Sequence, residues 1–138
     1  MTSDEQSTSP TILVGYTPND YGRAALDAAI VEARRRSGRL MVINTSRGDR
    51  LADPTIASSG ELTRLDQTLT DAAIPHQIIQ HIGLGEPADD IIELAHQHHA
   101  DLIVIGIRHR TAVGKLLLGS TAQRVLLQAD CPVLAVKR

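Results

Sequence analysis

The sequence predicts an α/β domain: an open five-stranded parallel sheet with helices on both faces. Three observations carry this expectation. Short apolar runs alternate with stretches whose apolar residues recur at helical spacing, strand then helix, from residue 11 onward. The run Leu102-Ile103-Val104-Ile105 is continuously apolar, as strands buried on both faces are. The 138 residues fit one domain and include 42% hydrophobic residues, yet only two Tyr, no Phe and no Trp. The core is therefore expected to be aliphatic.

Residues 1–10 are rich in Ser, Thr, Asp and Glu and are expected to form a disordered tail, leaving 11–138 as the domain. Thr11 to Tyr16 reads as strand one, and Pro18-Asn19-Asp20 as turn and helix-cap chemistry. Leu26, Ala29, Ile30 and Ala33 then mark a helix face. That helix ends in Arg34-Arg35-Arg36-Ser37-Gly38, with cations suited to a helix C-terminus and Gly38 expected as the left-handed cap. Leu40 to Asn44 reads as strand two. Ser46 to Gly60 is a long polar loop, either a lid or disordered. Leu62, Leu65, Leu69 and Ala72 predict a helix over Glu61 to Ala73, stopped by Pro75. His76 to Gln80 is a weaker strand three. Gly85-Glu86-Pro87 opens a helix whose face holds Ala88, Ile91, Ile92 and Ala95. Asp101 to Gly106 is strand four. Ala122, Val125, Leu126 and Ala129 mark the last helix, and Pro132 to Val136 is strand five.

Parallel sheets of this kind bind ligands beyond the strand C-termini, where the strand order reverses. That rule gathers Thr17, Asn44-Thr45 and Gly106 around one crevice. Gly119-Ser120-Thr121 stands where the last helix begins, and free backbone N–H groups there favour an anion. Ser and Thr are also the commonest helix N-caps, so the same residues serve a helix with no ligand at all. Gly106 likewise has a structural reading, a strand exit that needs unusual backbone angles. Arg108, His109, Arg110 and Lys115 make the intervening loop cationic, suited to phosphate or simply to solvent.

Composition excludes several classes. Fourteen basic residues against 16 acidic ones give a net charge of −2, no footprint for nucleic acid. The lack of aromatics argues against base-stacking platforms for single strands. No apolar stretch reaches the length of a membrane span, and residues 1–10 hold no apolar leader segment. The one cysteine, Cys131, gives no intrachain disulfide and fits a reducing compartment. A cytoplasmic protein is expected. His96, His98 and His99 crowd a helix end, with His96 and His99 spaced to share a face, but no acidic or Cys partner is spaced to complete a metal site. Asp89, Asp90 and Glu93 read as helix-surface charges, and Cys131 as a small hydrophobe.

Three blocks in order give a more specific signal: Ala100 to Gly106, Gly114 to Ala122, and Ala129 to Lys137. From Ile12 to Lys137 the chain resembles the universal stress protein family. The resemblance implies a Rossmann-like sheet of strand order 3-2-1-4-5. It implies a stress-response regulator, not an enzyme, that binds ATP or another adenine nucleotide, with no metal beyond a nucleotide-bound Mg. It also implies a homodimer joined through Pro132 to Val136, without nucleic acid or membrane as partner. The family's nucleotide-binding branch carries Gly, two residues, Gly, nine residues, Gly, then Ser or Thr. Gly106, Gly119 and Ser120 fill three of these positions, while His109 replaces the middle glycine. Thr17 stands where the family places an Asp. The expected site is Thr17, Thr45, Gly106, Arg108, His109, Gly119, Ser120 and Thr121, weakened by the two departures. The alternatives are a dimeric interaction module without ligand, or a slow ATP hydrolase with His109 as its base.

Overall fold

The computed structural model describes residues 9–46, 56–82, 85–107 and 118–137. Their order is β1 (Thr11–Gly15), α1 (Asp20–Arg36), β2 (Arg39–Ser46), α2 (Ser59–Asp71), β3 (His76–Ile82), α3 (Pro87–Gln97), β4 (Leu102–Ile107), α4 (Ser120–Gln128) and β5 (Val133–Lys137). The strands form one sheet of order β3-β2-β1-β4-β5, every pair parallel. This is the predicted topology. The tail residues 1–8 and loop residues 47–55 lie outside the described residues.

Side chains of successive strand residues leave opposite faces of the sheet, and both faces are covered. Ile12, Val14, Leu40, Val42, Leu102 and Val104 pack on α1 and α2 through Ala25, Ala29, Ala33, Leu65 and Leu69. Leu13, Met41, Ile43, Ile103 and Ile105 pack on α3 and α4 through Ala88, Ile91, Ala95, Ala122 and Val125. The core is aliphatic as expected, with Tyr16 its one buried aromatic among the described residues.

Helix α1 buries Gly22, Ala25, Ala29 and Ala33. This small-residue face brings its axis close to the sheet. Asn19 caps the helix, its Oδ1 accepting from the Gly22 amide at 2.9 Å. At the other end, Ser37 takes the left-handed conformation (φ 52°), and the Gly38 amide donates to the Ala33 carbonyl at 2.8 Å. The expectation for Gly38 is thus off by one residue. Gly38 is needed for space: a Cβ there would stand 2.6 Å from the Pro10 carbonyl oxygen.

Several boundaries differ from the sequence reading by one or two residues. β1 stops at Gly15, one residue early. β2 runs to Ser46 because Asn44, Thr45 and Ser46 pair in register with Gln80, His81 and Ile82, which also lengthens β3. α2 begins at Ser59, capped by Ser58, whose Oγ accepts from the Glu61 amide at 3.1 Å. Ser58 and Glu61 have capping-box spacing, a signal present in the sequence. The polar loop is therefore shorter at both ends than Ser46 to Gly60. Its return is anchored by Asn44: Oδ1 accepts from the Ala57 amide at 3.0 Å and from Gln80 at 2.8 Å, and Nδ2 donates to the Tyr16 carbonyl at 2.9 Å.

Two glycines give opposite stability predictions. A Cβ on Gly22 would lie 1.9 Å from the Thr17 carbonyl oxygen, so Gly22→Ala should cost about 1–3 kcal/mol or more. Gly60, in the first turn of α2, has only the Arg64 guanidinium 3.7 Å from that position, so Gly60→Ala should stabilise by up to about 1 kcal/mol. Urea midpoints of the two variants check both signs.

A pH prediction comes from His76, whose Nδ1 faces the Ile74 carbonyl and whose Nε2 faces the Asp66 carboxylate, each at 2.7 Å. Two acceptors on two ring nitrogens favour the doubly protonated ring. Burial opposes that charge, but the Ile74 carbonyl and Asp66 together raise the pKa above 6.5. The ring's contribution is then fully present below pH about 6.5 and is lost as pH rises through the raised folded-state value. The stability gap between wild type and His76→Gln should accordingly shrink between pH 5.5 and pH 8.5 in urea titrations.

Candidate functional site

A cavity of about 180 Å³ opens at the C-terminal ends of the central strands. Gly15, Tyr16 and Thr17 lead out of β1, Ile43 and Thr45 come from β2, and Gly106 and Ile107 end β4. Pro87 and Ile91 of α3 form one wall, and Gly119, Ser120 and Thr121 at the start of α4 form another. Six of the eight expected site residues thus meet in one cavity: Thr17, Thr45, Gly106, Gly119, Ser120 and Thr121. Arg108 and His109 lie outside the described residues, as do Arg110 and Lys115.

The start of α4 is unlike a helix capped by its own Ser or Thr. Gly119 is the N-cap, with no side-chain cap hydrogen bond, and Ser120 and Thr121 occupy the first helical positions. The first intrahelical bond to the cap runs from the Gln123 amide to the Gly119 carbonyl at 3.0 Å. The amides before it have no acceptor within the helix. No acidic residue sits in this first turn, so its partial positive charge is not offset locally. The arrangement suits an anion, such as a phosphate.

Gly106 is explained by packing. A Cβ there would stand 2.1 Å from the Tyr21 carbonyl oxygen of α1, so only glycine lets β4 end beneath that helix. Its φ is not in the left-handed range, so the expectation of unusual backbone angles is not met. Gly22 performs the matching role on α1 against Thr17. Neither contact is visible from spacing, because both bring together residues distant in the chain or turned by a cap.

The hydroxyls of Thr17 and Thr45 are both engaged. Thr17 Oγ1 donates to Asn19 Oδ1 at 2.9 Å. Thr45 Oγ1 donates to Asp90 Oδ2 at 2.9 Å, and His81 Nε2 lies 3.7 Å from the same oxygen. Asp90, expected as a surface charge, is instead partly enclosed behind the cavity wall, its side chain 22% exposed. Asp89 pairs with Arg124 of α4 at 2.7 Å, tying together the two helices that flank the cavity. Asn44, expected at the crevice beside Thr45, faces the other way: it belongs to the α1 and α2 side of the sheet and closes the buried network around Ala57. Tyr16 sends its hydroxyl to Glu61 at 2.9 Å, with Arg23 3.7 Å from the same carboxylate. Burial, then the Glu61 hydrogen bond, raises its pKa above 10 and keeps the phenol neutral.

The remaining candidates stay structural. α3 ends at Gln97 and His99 takes a left-handed conformation (φ 53°), so His96 and His99 do not share a helical face. His96 instead meets Asp130 at 3.1 Å. Among the described residues, no group of three or more His, Cys, Asp or Glu could hold a metal ion. Cys131 is half-buried; burial, then Asp101 and Asp130, raises its pKa and holds it as the thiol. Asp101 has a role the sequence does not announce: its carboxylate accepts from the Thr11 amide at 2.9 Å, fixing β1 beside β4. Among the described residues, no helix is long and apolar enough to cross a membrane.

Comparison with known proteins agrees with this geometry. The family model described as "Universal stress protein family" matches residues 9–137. A universal stress protein of Mycolicibacterium smegmatis is 46% identical over 126 residues, covering 91% of this chain and 96% of the relative. The universal stress protein structure from Archaeoglobus fulgidus superposes with a TM-score of 0.77 at 30% identity, covering 94% of this chain and 98% of that one. A second structure from A. fulgidus, a universal stress protein in complex with dAMP, superposes with a TM-score of 0.61 at 25% identity, with coverages of 94% and 98%. With the parallel sheet of order β3-β2-β1-β4-β5 and the match over nearly its whole length, the chain belongs to the universal stress protein family.

Proposed function

We propose that the chain binds an adenine nucleotide such as ATP in this cavity and acts as a stress-response regulator rather than an enzyme. The observation that carries the reading is the start of α4. Its uncapped amides, with the Ser120 and Thr121 hydroxyls, line the same cavity as Thr17, Thr45 and Gly106. A phosphate on α4 leaves the nucleoside to lie across the ends of β4, β1 and β2. The dAMP complex of the A. fulgidus relative supports the ligand class. Arg108 and His109, next in sequence after Ile107, supply cationic charge in this reading, and a metal enters only with the nucleotide. The single free cysteine, held as a thiol, supports a cytoplasmic setting.

The site is weak in this reading. Thr17 offers a neutral oxygen where the family pattern has a carboxylate. Losing a charge-assisted hydrogen bond costs about 1–3 kcal/mol, or roughly ten- to a hundredfold in affinity. Calorimetric titration should therefore give an ATP dissociation constant of about 10⁻⁴–10⁻³ M (about −5.5 to −4.1 kcal/mol). Ser120→Asp, which sets a carboxylate against the phosphate, should abolish the heat. No heat with wild type up to millimolar ATP, and no nucleotide released on denaturing natively purified protein, would overturn the reading.

A second reading concerns assembly, and the two sheet edges favour it. β3 presents His76, Gln77, Gln80 and His81, polar residues that discourage edge pairing, with Ile82 at its end exposed to 51%. β5 presents Leu134, exposed to 37%, while Leu127 of neighbouring α4 is 76% exposed. We propose a homodimer in which the segment Pro132 to Val136 pairs with its copy. Light scattering at micromolar concentration should give twice the chain mass of 14.9 kDa, and Leu134→Asp should restore the single mass with helical circular dichroism unchanged. A monomeric wild type would end this proposal and leave nucleotide binding untouched.

A further inference from the structure

We infer that Thr45, held by Asp90, selects the base: it favours a base edge carrying an amino group over one carrying a carbonyl oxygen. The inference rests on the nucleotide reading above. A hydroxyl ordinarily gives or takes a hydrogen bond as its ligand requires. Thr45 has lost that freedom. Its proton goes to Asp90 Oδ2 at 2.9 Å, and an ionised carboxylate only accepts. What the Thr45 oxygen offers the cavity is a lone pair. The residue is 6% exposed and lines the cavity.

The surroundings hold Asp90 in place. It sits in the first turn of α3, where negative charge is favoured by the helix dipole. His81, paired in register with Thr45 on the neighbouring strand, brings Nε2 to 3.7 Å from the same carboxylate oxygen. Thr17 repeats the device. Its proton goes to Asn19 Oδ1, and that oxygen also accepts from the Gly22 amide, which fixes the orientation of the amide group. Two hydroxyls on one side of the cavity therefore present acceptors.

The strand order decides which part of the ligand meets Thr45. Going across the sheet, β4, β1 and β2 are neighbours. With the phosphate on α4 beside β4, the far end of a nucleotide reaches β2, two strand spacings or about 9.5 Å away. That end is the base. The ribose hydroxyls turn freely and adapt to either polarity, but the substituent on the base does not. The 6-amino group of adenine donates to the Thr45 lone pair, whereas the 6-oxo group of hypoxanthine or guanine sets lone pair against lone pair. Asp90 acts through Thr45 and is a positioning residue.

The test compares ATP with inosine triphosphate (ITP) by calorimetry on the full chain, with inorganic tripolyphosphate as the base-free probe. Wild type should bind ATP about tenfold or more tightly than ITP. Asp90→Ala removes the acceptor and frees the Thr45 proton to turn into the cavity, so the ATP-to-ITP ratio should fall toward one. Tripolyphosphate binding should not move. Thr45→Val should lose the preference as well. Equal binding of ATP and ITP by wild type would overturn the inference and leave the nucleotide reading standing. A kept ATP-to-ITP ratio in Asp90→Ala, with or without a parallel loss of both ligands, would also overturn it, since Asp90 would then only support the fold. Binding of neither nucleotide by wild type would remove both.

Discussion

The close approach of α1 to the end of β4 is the constraint on which the site depends. Gly106 admits the Tyr21 carbonyl, and Gly22 admits the Thr17 carbonyl. The buried alanine face of α1 continues the same approach along the helix. Any side chain at either glycine would lift the start of α1 away from the strand ends. The chain leaves β1 toward β2 and β3 on one side, then returns through α3 to place β4 on the other side of β1. The strand order reverses between β1 and β4, where a crevice is expected. Gly106 and Thr17 flank that point, so a glycine required for packing also lines the cavity. This accounts for a glycine motif whose first member is needed even with no ligand bound.

Neighbouring polar residues at the end of β2 divide structure from function. Asn44 and Thr45 are adjacent, so the pleat sends them to opposite faces. Asn44 joins Tyr16, Ala57 and Gln80 in a buried network that closes the β2–α2 connection. Burying such groups is tolerable because each is paired, and among the described residues no buried side-chain polar atom lacks a partner. Thr45 lines the cavity and gives its proton to Asp90 of α3. A one-residue shift of β2 would exchange these roles, so the network around Asn44 fixes the register that the cavity requires.

Sequence periodicity carried the fold because each central strand is uniformly apolar and each helix has one apolar face. Ile12 to Val14, Leu40 to Ile43 and Leu102 to Ile105 are all buried on both sides of the sheet. The polar ends of β2 and β3 are harder to read, since Thr45, Ser46 and His81 look like loop residues and are strand residues because the two strands pair there. In the site, the residues on element termini were legible: Thr17, Gly106, Gly119, Ser120 and Thr121 mark strand exits and a helix start. Asp90 was not, because its meaning comes from a hydrogen bond to a residue 45 positions away. Gly22 and Asp101 were missed for the same reason, as their roles lie in contacts across the sheet end and between strands.

Where the resemblance to the family leads one to expect a carboxylate, this chain has Thr17. A carboxylate is a stronger acceptor because its bonds are charge-assisted. It also carries a desolvation cost inside a small cavity and repels a ligand that brings its own negative phosphate. Thr17 keeps the acceptor role without the charge, since Asn19 takes its proton. Asn19 is the N-cap of α1, so the residue that starts the helix also sets the polarity of the site. In the proposed nucleotide reading the lost charge weakens binding, but the direction of the hydrogen bond is retained. That direction, fixed at Thr17 by a helix cap and at Thr45 by Asp90, is what distinguishes one ligand edge from another when the charge is gone.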